Sequence, residues 1–285
     1  MTIEQALQFG NSELNEHSPS AERDCSVLLQ HAVGRYEYFC TAHPEYILSD
    51  QEEKLFREHI EQRLTGIPVA YIVEHKEFYG KEFFVNQHVL IPRPETEGLI
   101  DMVLEHIQNK KKALRILDVC TGSGCIAVTL KTLLPNANVV ATDISKEALV
   151  VATLNARRHH VEITELAGNL FEALPSDCQP FDVIVCNPPY VPLNHFQEDI
   201  PETQGLKFEP RNALLPHDDS TTGLETIEGI LNDAGRYLAS DGFFCMEFGD
   251  DQASRVLAYA RAAFPTRSIT ISKDLSARDR YLFVE

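Results

Sequence analysis

The chain has 285 residues, 44% of them hydrophobic, enough to bury one sizeable core and still leave room for a small second domain. Forty-three Asp and Glu against 25 Lys and Arg give a net charge of -18, which repels a phosphate backbone, disfavours direct nucleic-acid binding and keeps a protein in solution. There is no run of 18 apolar residues, and the polar, acidic start lacks the basic and apolar regions of a secretion signal, so a soluble cytoplasmic protein without a membrane partner is expected.

Thr2 and Gln5 are spaced as a capping box, opening a first helix whose apolar residues are Ala6, Leu7 and Phe9. In the second, Ser18 is placed to cap, Pro19 to take the first helical position, and Val27, Leu28, Ala32 and Val33 to form the stripe that Gly34 ends. Ser49 with Glu52 opens a third, striped by Leu55, Phe56, Ile60 and Leu64, with Gly66 and Pro68 beyond it. Residues 1–68 thus read as an N-terminal helical domain, and through His75 the chain carries thirteen acidic and five basic residues. Residues 69–91 are rich in β-branched and aromatic types around Tyr79, Gly80 and Lys81, which predicts a β-hairpin linker. From 92 to 285 a single α/β domain is expected.

That domain begins with a helix opened by Pro94, Glu95 and Glu97, striped by Leu99, Ile100, Val103, Leu104 and Ile107, and closed by the lysines at 110–112. Short apolar runs then alternate with helical stretches, at 115–119, 139–142, 163–167 and 183–186, followed by 243–248, 269–272 and 281–284. Alternation of this kind predicts about seven strands in a largely parallel sheet with helices on both faces. Seven cysteines lie scattered, with no CxxC pair and no histidines at zinc spacing, so reduced thiols and no metal are expected.

The strand ending at Val119 runs into Cys120, Thr121, Gly122, Ser123 and Gly124, and an apolar helix follows. In an open parallel sheet ligands bind at such a turn, where Gly122 and Gly124 let the backbone approach closely and Ala127 is small enough for close helix packing. Asp143 ends the next strand, placed to accept hydrogen bonds from ribose hydroxyls. The pair points to an adenosine cofactor without separating NAD from S-adenosylmethionine, and a purely structural strand-to-helix turn is the plain alternative.

The buried strand 181–186 ends in Asn187, Pro188, Pro189 and Tyr190 at the same carboxyl edge. An amide or arylamine nitrogen is a poor nucleophile because its lone pair is delocalised. The Asn187 side-chain oxygen and the Pro188 carbonyl can accept its two N–H groups, aim the lone pair at a sulfonium methyl and stabilise the developing positive charge. Tyr190 can stack on a flat group, a carboxamide or a base. An ordinary Asn-Pro turn, with Tyr190 as core filler, is the alternative.

At these residues the chain resembles the release factor glutamine methyltransferase family along almost its whole length. The matching pieces are IPVAYIVEHKEFYG (67–80), LIPRPETE (90–97), the loop 117–124, NPPY (187–190), FEP (208–210) and ARDR (277–280). The resemblance implies a seven-stranded Rossmann-like class I methyltransferase sheet, S-adenosylmethionine giving S-adenosylhomocysteine, and methylation of the glutamine in a Gly-Gly-Gln loop of peptide chain release factors. By position, Cys120, Thr121, Gly122, Ser123 and Gly124 would hold the methionine end, Asp143 the ribose, Asn169 and Leu170 the adenine region, and residues 187–190 the glutamine. Glu95 and Thr96 would face the active site, with first-turn helix capping as the alternative. The acidic helical domain would bind the substrate.

Two positions depart from the family's pattern, which has glycine in place of Cys120 and an acidic residue in place of Asn169. The CTGSG form of the loop is nearer to the sister enzymes that methylate a glutamine of a large-subunit ribosomal protein, which makes that substrate the runner-up. DNA adenine-N6 or ribosomal guanine-N2 methylation, also run on NPPY, and a catalytically silent cofactor-binding protein complete the alternatives.

Overall fold

The computed structural model describes residues 1–107, 109, 112–197, 204–216 and 220–285, and these fall into two compact units. The first comprises Met1–His75 together with the 3-10 turn Gln204–Phe208. Its helices are α1 (Ile3–Leu14), α2 (Ala21–Val33), α3 (Glu37–Ala42), α4 (Asp50–Leu64) and α5 (Val69–Ile72).

Both predicted capping boxes are present, Thr2 with Gln5 and Ser49 with Glu52, and Gly34 ends α2 in the left-handed region. The start of α2 differs from expectation. Ser18 does not cap it, because its hydroxyl donates to Asp24 Oδ2 at 2.7 Å, and the helix opens at Ala21 behind Ser20. Arg63 Nε donates to the same oxygen at 2.7 Å, so this buried carboxylate is neutralised where it lies. Ile3, Leu14, Leu28, Leu29, Phe56 and Ile60 form the core. α1 can sit against α2 and α4 only because residue 10 is glycine: a Cβ there would come within 2.5 Å of Cys25 Sγ and 2.9 Å of a Phe56 ring carbon.

The predicted 69–91 hairpin is shorter, running from β1 (His75–Phe78) to β2 (Lys81–Phe84). Pro68 caps the helical turn α5 instead, and Ile72 and Val73 are buried in the helical core. Tyr79 (φ 51°) and Gly80 (φ 70°) both adopt positive φ, the two-residue turn whose twist suits a tight hairpin.

The second unit is built on a seven-stranded sheet. Its strands are β3 (Arg115–Val119), β4 (Asn138–Asp143), β5 (Thr164–Ala167), β6 (Phe181–Cys186), β7 (Leu238–Glu247), β8 (Ile269–Lys273) and β9 (Asp279–Val284). They lie in the order β5-β4-β3-β6-β7-β9-β8, with β9 antiparallel to both neighbours and the rest parallel. Alternate strand residues serve opposite faces. Ile116, Val183 and Val185 pack with α6 (Glu97–His106), α7 (Cys125–Leu133) and α8 (Lys146–Arg158). Leu117, Ile184 and Phe244 pack with α11 (Glu225–Tyr237) and α12 (Ala253–Ala263), which follow the short helices α9 (Leu193–Gln197) and α10 (Arg211–Leu214).

Helix α6 stops at His106, short of the predicted lysine close. Lys110 and Lys111 lie outside the described residues, and Lys112 Nζ donates to Asp182 Oδ1 at 3.0 Å. What places the site is the sheet order. The chain winds from β3 outward through β4 to β5, then returns to lay β6 on the other side of β3, so a crevice opens where the winding reverses. Val119 and Cys186 are register partners there, which sets Cys120 and Asn187 side by side at the carboxyl ends.

Candidate active site

The loop after β3 takes positive φ at Cys120 (61°), Gly122 (55°) and Gly124 (78°). At Gly124 a Cβ would lie 3.0 Å from Ala152 Cβ, so glycine lets α8 close on the loop. At Gly122 a Cβ would meet nothing within 4 Å, because that residue faces open space. The loop is held from beneath by Asp118, whose Oδ2 accepts the Thr121 hydroxyl at 2.6 Å and the Ala127 N–H at 3.1 Å. Asp118 is fully buried, and burial pushes its carboxyl up to about 7. Asp143 Oδ2 accepts from Gly122 N–H and Oδ1 from Ser145 N–H, each at 2.8 Å, while burial raises its pKa.

Above the loop lies a cavity of about 140 Å³. Its wall includes Cys120, Gly122, Asp143, Asn169, Leu170, Asn187 and Pro189, so residues from four separate stretches of sequence meet in one hollow. Thr121, Ser123, Gly124, Pro188 and Tyr190 are not part of that wall. Thr121, Ser123, Gly124 and Pro188 are buried behind it, and the half-buried Tyr190 ring packs on the α11/α12 side of the core. The sequence reading missed His88, Val89, Leu90, Asn212 and Ala213, which also line the cavity. Their placement depends on a long-range clasp that no local pattern reveals. Glu209, nearly fully buried, accepts from Ile91 N–H at 3.0 Å and is ion-paired to Arg93, so the LIPRPETE and FEP segments are tied together.

The turn at 187–190 is fixed by side chains far away in sequence. Asn187 Nδ2 donates to Thr96 Oγ1 at 2.9 Å, Thr96 Oγ1 donates to Glu247 Oε2 at 2.8 Å, and the Tyr190 hydroxyl donates to Glu247 Oε1 at 2.8 Å. Gln252 Nε2 donates to the Tyr190 carbonyl at 2.9 Å, and Gly223 passes so close to that carbonyl that no side chain would fit. Burial raises the pKa of Glu247 and carries the Tyr190 phenol well above its usual range. Of the two residues expected to face the site from the PRPETE segment, Thr96 reaches Asn187. Glu95 is exposed and lines a different, wider hollow beside α6, β8 and β9, which holds none of the loop or turn residues. Glu247 itself carried one signal, a single carboxylate ending the apolar run of β7.

The wall therefore offers carboxylate acceptors at Asp143, apolar surface at Leu170 and Ile144, open backbone at Gly122, and the amide of Asn187. Thr142 Oγ1, buried behind that wall, has no hydrogen-bond partner among the described residues.

Comparison with known proteins agrees. A family model described as "Methyltransferase small domain" matches residues 100–203, and one described as "PrmC N-terminal domain" matches residues 5–73. Among solved structures, a methyltransferase from Pyrococcus furiosus superposes with a TM-score of 0.51 at 16% identity, covering 72% of this chain and 89% of that one. A 16S rRNA N2 methyltransferase from T. thermophilus, solved with AdoMet and guanosine, gives the same TM-score at 16% identity over 74% of this chain and 49% of that one. These likenesses concern the fold.

The chain is 37% identical to a bifunctional methyltransferase of Rickettsia prowazekii over 90% of its own length, and spans about half (52%) of that protein. It is 34% identical to the release factor glutamine methyltransferase of Coxiella burnetii, covering 99% of this chain and 98% of that one. With that of Bordetella pertussis the identity is 38% over 90% and 92%. Matched end to end with such enzymes, and carrying NPPY beside the glycine loop at the switch point of the sheet, the chain belongs to the release factor glutamine methyltransferase family.

Proposed function

We propose that this protein transfers a methyl group from S-adenosylmethionine to the side-chain amide nitrogen (N5) of the glutamine in the Gly-Gly-Gln loop of peptide chain release factors. The observation that carries the reading is the placement of Asn187 beside the glycine loop, with its amide at the wall of the cavity, in a chain that aligns end to end with release factor glutamine methyltransferases.

The residues present suit the cofactor. Asp143 keeps lone pairs beyond those given to Gly122 and Ser145 and can accept ribose hydroxyls. Leu170 offers apolar surface to the adenine, Asn169 can accept from its amino group, and residues 120–124 approach the methionine end through backbone rather than side chains. S-adenosylmethionine, when bound, supplies an electrophilic methyl on a sulfonium. The protein's own task is to make a carboxamide nitrogen receptive. Asn187 Oδ1 and the Pro188 carbonyl accept its two N–H groups, orient its lone pair and stabilise charge developing on nitrogen, so no strong base is needed. Tyr190 is held at its hydroxyl by Glu247 with its ring packed on the core outside the cavity wall, so its part is to brace the turn that carries Asn187. The acidic helical domain docks the basic release factor in the cytoplasm.

The test is transfer of labelled methyl from S-adenosylmethionine to a purified release factor, beside a Gln→Ala variant of its Gly-Gly-Gln loop, a large-subunit ribosomal protein and duplex DNA. Label on the release factor that disappears with the Gln→Ala change is expected. Label on ribosomal protein or DNA alone would keep the chemistry and overturn the substrate.

A further inference from the structure

We propose that Thr96 and Glu247 are positioning residues that set the Asn187 amide one way round, with its oxygen toward the cavity and its nitrogen away. The inference rests on the reading of Asn187 as the acceptor for the substrate amide.

A primary amide is two-faced, with two donors on nitrogen and an acceptor on oxygen, and the two ends have nearly the same shape. Packing alone cannot tell them apart, but the hydrogen-bond polarity can. Glu247 is 1% exposed, and both its oxygens are engaged by hydroxyls, Oε2 by Thr96 and Oε1 by Tyr190, each at 2.8 Å. A carboxylate only accepts, so the Thr96 proton is committed to it. The oxygen of Thr96 then has only lone pairs to offer, and the end of Asn187 that meets it at 2.9 Å must be the NH2. Oδ1 is left without a partner among the described residues, on a residue that lines the cavity.

Turning the amide over would set two acceptors face to face, or would pull the Thr96 proton away and leave a buried carboxylate oxygen unmet. The seat of Thr96 is rigid. It is 2% exposed, and the Tyr281 hydroxyl donates to the Glu95 carbonyl directly before it. Gly98, two residues on, lies so close to Tyr281 that a Cβ would collide with its phenol. The PRPETE segment thus reaches the reaction through the hydroxyl of Thr96, and β7 through the carboxylate of Glu247.

The experiment compares Thr96→Val, Thr96→Ser and Asn187→Ala in kcat and KM for a release factor and in S-adenosylmethionine affinity by titration. Val matches the shape of Thr but removes the hydroxyl. Thr96→Val is expected to lower kcat about tenfold or more, with cofactor affinity within about twofold, while Thr96→Ser stays within about threefold of the unaltered enzyme. A Thr96→Val enzyme with full kcat beside a crippled Asn187→Ala enzyme would overturn the relay and leave the reading of Asn187 standing. Full turnover by Asn187→Ala would remove that reading and the relay with it. Equal loss in Val and Ser would show that the hydroxyl is not what matters.

Should Thr96→Val fail to fold, the unaltered protein decides by NMR. Its Asn187 side-chain NH2, assigned by its disappearance in Asn187→Ala, is expected to exchange slowly with solvent, and rapid exchange would sink the proposal.

Discussion

In the helical unit the buried carboxylate Asp24 is closed off by Arg63 and Ser18, whereas in the sheet unit Asp118 and Glu247 are buried against hydroxyl and N–H donors with no ion pair to either among the described residues. The helical unit leaves large apolar side chains outside, with Tyr36, Tyr38 and Ile47 each at least 73% exposed. The sheet unit gathers carboxylates, positive-φ loop residues and an unpartnered hydroxyl at one edge of its strands. The helical unit neutralises Asp24 with an ion pair from within, although Asn11 Oδ1 and His59 Nδ1 are buried there with no hydrogen-bond partner among the described residues. The sheet unit holds acceptors in reserve, which weakens a fold but is what a binding site requires.

The strongest way to sharpen that contrast is to damage the helical core alone. Phe56→Ala removes a fully buried ring and is expected to cost about 3–5 kcal/mol in urea denaturation. Because the cavity belongs wholly to the sheet unit, S-adenosylmethionine affinity should stay within about twofold. A parallel loss of affinity would break the separation of roles.

Next in size, Asn187→Ala is expected to cut methyl transfer about a hundredfold or more while leaving cofactor affinity and the melting temperature little changed. Unchanged turnover would take Asn187 out of catalysis.

Asp118 tests the buried-acid half of the comparison through pH. Its carboxyl is at about 7 in the folded protein, against an ordinary 3.8. A raised acid favours folding while protonated, so its contribution is full below about pH 4 and is lost as pH rises to about 7. Relative to the unaltered protein, Asp118→Asn should therefore gain stability across that window and hold the gain above it, as read from melting temperatures at pH 5 and pH 8. A constant difference at both values would mean that Asp118 is ionised throughout.

Smaller still, Ser49→Ala removes the oxygen that caps α4 and should cost about 1 kcal/mol in denaturant unfolding. The smallest effect is kinetic. With thirteen acidic and five basic residues through His75, the helical domain should associate with a release factor more slowly as salt rises from low to physiological. A rate indifferent to salt would remove charge steering.

Much of this protein was legible in its residues. The capping boxes at Thr2 and Ser49, the strand 115–119 and the count of seven strands followed from spacing and alternation, because caps and periodicity are local and the backbone must satisfy them wherever the chain goes. The glycine loop, Asp143 and NPPY were equally plain, since each must end a buried strand. Local spacing failed where another partner competes, as when Asp24, itself held by the distant Arg63, drew Ser18 away from its cap. It was silent on Glu209 clasping Arg93, on His88 and Asn212 meeting in one wall, and on Thr96 and Glu247 turning Asn187. Those pairings span 91 to 151 positions for Asn187 with Thr96 and Thr96 with Glu247, and only the order of strands in the sheet brings such residues within a hydrogen bond of each other. Sequence by itself pointed to the glycine loop, Asp143 and the turn at Asn187, and the fold added His88, Asn212 and the Thr96–Glu247 pair to them. The fold decided which way they face, because a hydrogen bond acquires its direction only when the other partner is in place.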